Sequence, residues 1–302
     1  MAEQVLALLE PAPGRCYADA TLGDGGFSQL LLEASAPSGR VLAVDWDEDA
    51  VARARPRLAA FGDRGTLMRS SFEKLPELLE DRGWSAGVDG VVMDLGVSSY
   101  QLTESQRGFS FTHDGPLDMR MDRRRAESAA DLVNTRSEKE LARILYEYGE
   151  ERGARRVARR IVEMRRAAPL ATTADLRRAV LAAGIQGRPG HDPATRSFQA
   201  FRIAVNDELG TLERFLDDGW KCLRPRGRLA VLAYHSLEDR LVKRAFRRWA
   251  ASCICPPQTP VCACSWTQKA RLLTKRPLRA SAEEVAGNPR SRSARLRCVE
   301  RI

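Results

Sequence analysis

Three short apolar segments, residues 16–20, 40–44 and 88–93, each run up to an aspartate, at Asp19, Asp45 and Asp94. Segments with helical spacing lie between them: 27–35, 49–61 with Asp47 as a cap, and 75–81, with a further short strand candidate at 66–69. Strands alternating with helices of this length join as parallel neighbours through right-handed crossovers. The first third of the chain therefore predicts an α/β fold built on a doubly wound sheet. Such a sheet binds ligands beyond the carboxyl ends of its strands, where the three aspartates fall. Any one of them alone is commonly a turn or cap residue. Three at successive strand ends, beside a glycine-rich loop, point to a site.

That loop reads Thr21-Leu22-Gly23-Asp24-Gly25-Gly26. Its glycines Gly23, Gly25 and Gly26 let a ligand approach the backbone closely. A dinucleotide enzyme would show G-x-G-x-x-G, with a pyrophosphate on the helix N-terminus. Here the acids Asp19 and Asp24 flank the loop. They would repel a pyrophosphate and suit a cationic ligand such as S-adenosylmethionine, which carries a sulfonium and an ammonium. Asp45 is placed to accept both hydroxyls of a ribose, a requirement shared by nicotinamide cofactors and S-adenosylmethionine. Asp19, Asp45 and Asp94 are expected to converge.

The alternation stops near residue 105. Residues 138–164 read as one long charged helix and 173–183 as another, so 105–199 is expected to be an all-helical insertion. Helical character continues over 198–223. Pro225-Arg226-Gly227 then makes a turn, and the apolar run 228–234 returns to the first sheet. The domains expected are thus 1–104 with 200–302, and 105–199. Apolar runs such as RLAVLAY are too short to span a bilayer. The start, MAEQVLALLEPAPG, has no basic region typical of a secretory signal. The expected partners exclude a membrane and the expected compartment is the cytoplasm; monomer and homodimer both stay open.

Net charge is +9, unevenly spread: residues 1–119 carry net −9 and residues 240–302 net +12. A strongly basic part attracts a polyanion through counterion release, and a nucleic-acid partner is favoured over a merely solvated surface. Residues 152–166 read as an Arg-rich phosphate-tracking helix or as a solvated helix laced with Glu–Arg pairs. The basic tail from Lys269 is expected to drape over the body or to order only on RNA, and is the preferred RNA contact.

Seven cysteines occur, four of them clustered as Cys253-x-Cys255 and Cys262-x-Cys264, with PPQTP between them as a turn. A reducing compartment argues against disulfides. The four thiolates can hold one structural Zn²⁺, while a cysteine-rich loop with no metal is the alternative. No metal ligand is assigned to the reaction site.

DATLGDGGFS at 19–28, VDWDEDAVARA at 44–54 and MDLGVSSYQL at 93–102 resemble the bacterial 16S rRNA cytosine-N4 methyltransferases. So do RGFSFTHDGPLDMRMD at 107–122, YGEER at 148–152, PATRSFQAFRIAVNDEL at 193–209, YHSLEDRLVK at 234–243 and NPRSRSARLRCVERI at 288–302. The resemblance covers nearly the whole chain. It implies a class I S-adenosylmethionine-dependent methyltransferase fold, Rossmann-like, with a helical insertion for RNA-substrate recognition. It also implies methyl transfer to the N4 amine of a decoding-centre cytidine in 16S rRNA of the small ribosomal subunit. The family's cofactor positions fall on Gly25, Gly26, Phe27, Asp45, Phe72, Asp94 and Gln101, which join Asp19 and Gly23. Asp45 would hold the ribose and Phe72 would flank the adenine. Asp94 and Gln101 would face the methionine end and the target base. The sequence departs from the family pattern in two places. Phe27 stands where members usually carry His, leaving the backbone N–H to serve. The chain also begins at MAEQVLALLE without a short His-x-Pro-Val leader.

For the chemistry, the expected need is alignment, plus an acceptor that draws an N4 hydrogen out of the ring plane. Asp94, Ser98 and His235 are the candidate catalytic residues, with a satisfied structural histidine the alternative for His235. Tyr100, Phe109, Phe111 and His113 are available to stack an extruded base, ordinary packing being the alternative for each. The rival functions are a catalytically weakened RNA-binding or ribosome-assembly scaffold, a nucleotide-dependent oxidoreductase, and a DNA amino-methyltransferase. The last usually carries a D-P-P-Y-type motif where this chain has Asp94-Leu95-Gly96-Val97.

Overall fold

The structure is a computed structural model that describes residues 1–187, 192–256, 259 and 261–302. In chain order, α1 (Ala2–Leu9) is followed by β1 (Cys16–Asp19), α2 (Gly26–Ala34), β2 (Arg40–Asp45), α3 (Glu48–Ala59), β3 (Gly65–Arg69), α4 (Leu75–Asp81) and β4 (Val88–Asp94). Next come α5 (Ser99–Thr103), α6 (Ala129–Thr135), α7 (Glu138–Gly149), α8 (Ala154–Ala167), α9 (Thr173–Ala182) and α10 (Thr195–Asn206). The chain closes with α11 (Glu208–Asp218), β5 (Leu223–Ala233), α12 (Ser236–Ala250), β6 (Ala270–Leu272), α13 (Ala282–Gly287) and β7 (Arg295–Arg301).

Two compact units result. The first comprises residues 1–96 and 209–302, the second 97–208. The first holds one seven-stranded sheet in the order β3-β2-β1-β4-β5-β7-β6, parallel from β3 to β5, with β7 antiparallel to both its neighbours. That mixed seven-stranded sheet is the class I methyltransferase fold. Both faces are covered. One carries Leu42, Val44, Val91, Met93 and Trp249, the other Tyr17, Leu31, Val41, Val92 and Leu296. Strands buried on both faces read as continuous apolar runs, which is why 40–44 and 88–93 stand out in the sequence. The second unit is helical, and among its described residues no strand forms.

Three expectations are corrected. First, residues 138–164 form two helices. The chain breaks after Gly149, where Glu150 takes a left-handed φ of 48°. A Cβ on Gly149 would lie 2.7 Å from the Arg196 carbonyl oxygen, so this glycine marks the closest approach of α7 to α10. The Glu151 carboxylate then accepts the Gly153 N–H at 2.7 Å and seeds the next helix. The YGEER motif is therefore a helix break. Second, Pro225-Arg226-Gly227 does not precede the strand but bulges within it: Leu223 pairs with Val88, and Arg228 with Gly90. Third, the basic tail does not simply drape over the body. Its last segment is the buried strand β7, paired with β5 from Arg228↔Glu300 to Ala233↔Arg295.

The arginines of that strand are used inside the protein. Arg297, 7% exposed, donates to both oxygens of Asp239 on α12, at 2.6 and 3.3 Å, and Arg295 reaches the same carboxylate at 3.1 Å. Glu300 is held between Arg228 and Arg271 at 3.0 and 2.8 Å. Removing one partner of a buried pair leaves an uncompensated charge and costs about 3–5 kcal/mol. Arg297→Ala is therefore expected to lower the unfolding free energy by about 3 kcal/mol in urea titration, with Arg295 limiting the loss. Exposed Arg290→Ala is expected to change it by less than about 0.5 kcal/mol.

Candidate active site

Register places the acids. Asp19, the last residue of β1, pairs with Ala43 of β2 and Val92 of β4. Asp45 and Asp94 lie two residues further along their strands. Side chains two apart share a face, so all three carboxylates stand on one face of the sheet at its carboxyl edge.

The loop after β1 is stitched across that edge. Ala20 N–H donates to the Val92 carbonyl and Leu22 N–H to the Val44 carbonyl, both at 2.9 Å. The Thr21 hydroxyl accepts the Asp94 N–H at 2.6 Å, and Gly23 N–H donates to Asp45 Oδ2 at 2.9 Å. Asp47 N–H takes Asp45 Oδ1 at 2.9 Å. Gly25 turns the loop into α2 with φ 79°, and a Cβ there would lie 3.1 Å from the Ala54 Cβ of α3. Gly23 is also left-handed, at φ 51°. Asp24 is paired with Arg53 at 2.9 Å, whereas among the described residues Asp19 makes no ion pair.

Asp19 is fully buried; its carboxylate accepts the Ser28 hydroxyl at 2.7 Å and the Thr21 N–H at 3.2 Å. Asp94 Oδ1 accepts the Tyr234 hydroxyl at 2.7 Å. Burial raises all three carboxyls from 3.8 to about 6, against the lowering effect of these hydrogen bonds. The Tyr234 phenol is pushed upward, first by burial and then by the Asp94 charge. Three carboxylates this close to neutrality at one strand edge form a site that attracts a cation and accepts hydroxyl and amine hydrogens.

A model of the MraW methylase family matches residues 1–302. The chain belongs to the MraW methylase family. The ribosomal RNA small subunit methyltransferase H of Symbiobacterium thermophilum is 51% identical, over 99% of this chain and 95% of that protein. Proteins of the same description from Syntrophobacter fumaroxidans and a Geobacter species are each 50% identical, over 100% and 99% of this chain and 95% and 96% of theirs.

The other residues predicted for the site divide between the units of this MraW-family chain. Phe72 is buried on the opposite sheet face, edge-on to Phe215 at 5.8 Å and 6.1 Å from the Trp46 ring. Gly26 and Phe27 open α2, and the Phe27 ring packs half-buried against the cluster around Leu31. His235 caps α12: its ring lies 3.1 Å from Glu238 Oε1, and its Nδ1 accepts the Glu238 N–H at 3.4 Å. Ser98 and Gln101 lie in the second unit and form a capping box on α5, at 3.2 and 3.0 Å. In that unit Phe109 is buried under the Arg107 guanidinium, 5.7 Å away, and Phe111 meets Phe198 edge-on at 5.0 Å. His113 is exposed and Tyr100 half-buried.

Sequence reasoning missed Thr21 and Tyr234 as ties to Asp94, and Glu238, whose carboxylate accepts the Tyr234 and His235 N–H groups at 2.9 and 3.2 Å. The YHSLED motif carried the signal: an N-cap followed three residues later by Glu is a capping box. A separate hollow of about 360 Å³, lined by Arg40, Asp63, Arg64, Asp81, Arg82 and Trp84, sits at the amino ends of β2 and β3, away from these acids.

Gly25→Ala forces a side chain into left-handed backbone against Ala54 and is expected to destabilise by about 1–3 kcal/mol in chemical denaturation. Gly26→Ala, whose φ is ordinary and whose nearest neighbour is the Arg57 guanidinium at 4.0 Å, is expected to cost less than about 0.5 kcal/mol.

Proposed function

We propose that this chain transfers a methyl group from S-adenosylmethionine to the exocyclic N4 amine of a cytidine in 16S rRNA of the small ribosomal subunit, in the cytoplasm. One observation carries the reading: three same-face carboxyls at the carboxyl edge of the sheet, bridged by a glycine loop, in a chain of the MraW methylase family. The names of its relatives, small-subunit rRNA methyltransferases, support the choice of RNA.

The residues present fit this cofactor. Asp45 has one N–H on each oxygen, so its orientation is set beforehand, and each oxygen keeps a second lone pair for a ribose hydroxyl. The first turn of α2, at Gly26 and Phe27, carries N–H groups that no carbonyl of the same helix can reach, and these suit the amino-acid carboxylate. Asp19 places a buried acid on the same edge, opposite in sign to the sulfonium and ammonium. Phe72 is assigned to the adenine on the resemblance alone.

When bound, the cofactor supplies a methyl group on a positively charged sulfur, which needs no further activation. The protein's remaining work is alignment and proton handling. Tyr234 fixes Asp94 through Oδ1 and leaves Oδ2 to accept a hydrogen of the amine. The lone pair of that amine is delocalised into the ring, and a hydrogen bond to Asp94 draws it out of plane. After transfer the nitrogen holds one proton too many. A carboxylate with a pKa of about 6 takes that proton at neutral pH and returns it to water. His235 orients the start of α12 through Glu238.

The second unit is proposed to recognise RNA. The outer face of α8 and the turn leading into it expose Arg152, Arg155, Arg156, Arg159, Arg160 and Arg166, with Arg159 and Arg160 sharing Glu163 at 3.7 and 3.1 Å. An arginine row with one acid to two cations leaves net charge for phosphates. Changing Arg155 and Arg166 to Ala is expected to weaken binding to small-subunit RNA and to reduce its logarithmic salt slope by about two, with thermal stability unchanged.

Mass mapping of 16S rRNA from a strain lacking the gene, with and without the gene restored, tests the activity. The expected result is one cytidine that gains a methyl group only on restoration; an unchanged map would overturn the reading. Calorimetry with S-adenosylmethionine tests the site. Asp45→Ala is expected to weaken binding by about 10–100-fold, the worth of one or two charge-assisted hydrogen bonds. Asp94→Asn is expected to retain binding and to lose about 10²-fold or more in methylation rate. Protonation removes the acceptor and the negative charge together. Affinity and rate are therefore expected to be full above pH 7, to fall through about pH 6, and to be lost toward pH 5.

A further inference from the structure

We propose that Cys253, Cys255, Cys262 and Cys264 form a closed structural Zn²⁺ site that pins the connection between α12 and β6. Their sulfurs all lie within 4.8 Å of one another. Cys253 Sγ is 3.4 Å from Cys262 Sγ and 3.6 Å from Cys264 Sγ, and Cys262 and Cys264 are 3.6 Å apart. A disulfide requires about 2.05 Å, so these are unbonded thiols. A tetrahedron of thiolates around zinc, with bonds of about 2.3 Å, has sulfurs about 3.8 Å apart. The chain has therefore gathered four soft ligands at nearly the spacing a tetrahedral ion sets.

The surroundings give the cluster its purpose. Between Ala250 and Ala270 no helix or strand occurs among the described residues. The PPQTP turn expected there rests partly on Pro257, Gln258 and Pro260, which lie outside the described residues. The segment has little apolar core of its own: Val261 is 78% exposed and Ile254 46%. Its two ends are nevertheless fixed. Trp266 Nε1 donates to the Ala251 carbonyl at 3.1 Å, and Lys269 N–H to the Trp249 carbonyl at 2.8 Å. A loop closed at its base and lacking a core needs a staple, and a metal serves as one.

Cysteine is otherwise among the most buried residue types. Cys222 and Cys298 are buried here, whereas Cys253 and Cys262 are exposed. Four thiols together near the surface are an oxidation liability unless a metal occupies them. The Cys255 N–H donates to Cys253 Sγ at 3.4 Å, the kind of outer hydrogen bond that steadies a thiolate ligand. All-sulfur tetrahedral coordination selects zinc among abundant divalent ions and leaves no open position for catalysis. The site is therefore structural and independent of methyl transfer.

Elemental analysis of the full chain, grown with zinc and purified without chelator, tests this. About one zinc per chain is expected, falling below about one-tenth in Cys253→Ser/Cys264→Ser. In the unaltered protein, four of the seven thiols are expected to react with a thiol reagent only after a chelator is added. Reconstitution with Co²⁺ is expected to give the visible bands of a tetrahedral thiolate centre, a readout that does not depend on the variant folding. The proposal is overturned by a zinc-free protein whose four thiols react at once or pair as disulfides. Zinc retained in the double variant, or iron in equal amount, overturns it as well.

Discussion

The site depends on a loop tied at both sides. Residues 20–23 cross the carboxyl edge of the sheet and hydrogen-bond β4 on one flank and β2 on the other, through main chain at Val92 and Val44 and through the Thr21 hydroxyl and the Asp45 carboxylate. The glycines follow from that constraint, since the chain must turn tightly and start α2 within van der Waals contact of α3. The carboxylates follow too. Parallel register brings Asp19, Asp45 and Asp94 to one face, Asp19 fully buried beneath the stitched loop and Asp45 and Asp94 half-buried at its rim. Crowding acids into a site shielded from water costs free energy. The protein tolerates that cost where a ligand's positive charge can offset it, so the raised pKa values are the electrostatic mark of a site arranged before its ligand arrives.

The remainder of the first unit supports this edge from behind. Strand β7 lies against β5 and brings Arg295 and Arg297 onto Asp239, the residue next to the Glu238 that holds the turn carrying Tyr234 and His235. Tyr234 in turn holds Asp94. The C-terminal strand is thus linked to the reacting edge through one helix start. Arg271, Arg295 and Arg297 of this basic segment are spent on internal pairs, so net charge by segment overstates what it offers to RNA. Exposed cations outside the sheet include Lys275, Arg276, Arg279, Arg290 and Arg292.

Legibility in the sequence followed burial. Strands buried on both faces announce themselves as unbroken apolar runs, and their ends at Asp45 and Asp94 were readable to the residue. Strand β7 was not, because RLRCVER alternates arginine with apolar residues and its charges find partners only in three dimensions. The break at Gly149–Gly153 was missed because the charged pattern keeps helical period across it, while the glycines answer to α10 and to Ile185. Tyr234 was placed as the last residue of an apolar strand, and nothing local shows that its hydroxyl reaches Asp94, 140 positions away.

Motifs that mark a family need not all touch substrate, and the second unit shows why. Arg107 is 1% exposed and donates to the carbonyls of Arg120 and Met121 at 2.9 and 3.1 Å. Asn206 accepts the Met121 N–H at 2.8 Å and donates to the Met119 carbonyl at 2.7 Å. Two separate motifs thus clamp one irregular segment, 119–121, whose Met119 takes a φ of 60°. A segment without regular structure must find partners for its backbone groups in side chains, and only donors and acceptors of this reach supply them. Phe27 fits the same logic. Its ring belongs to the packing beneath α2, so a substitution at position 27 is felt first in that core.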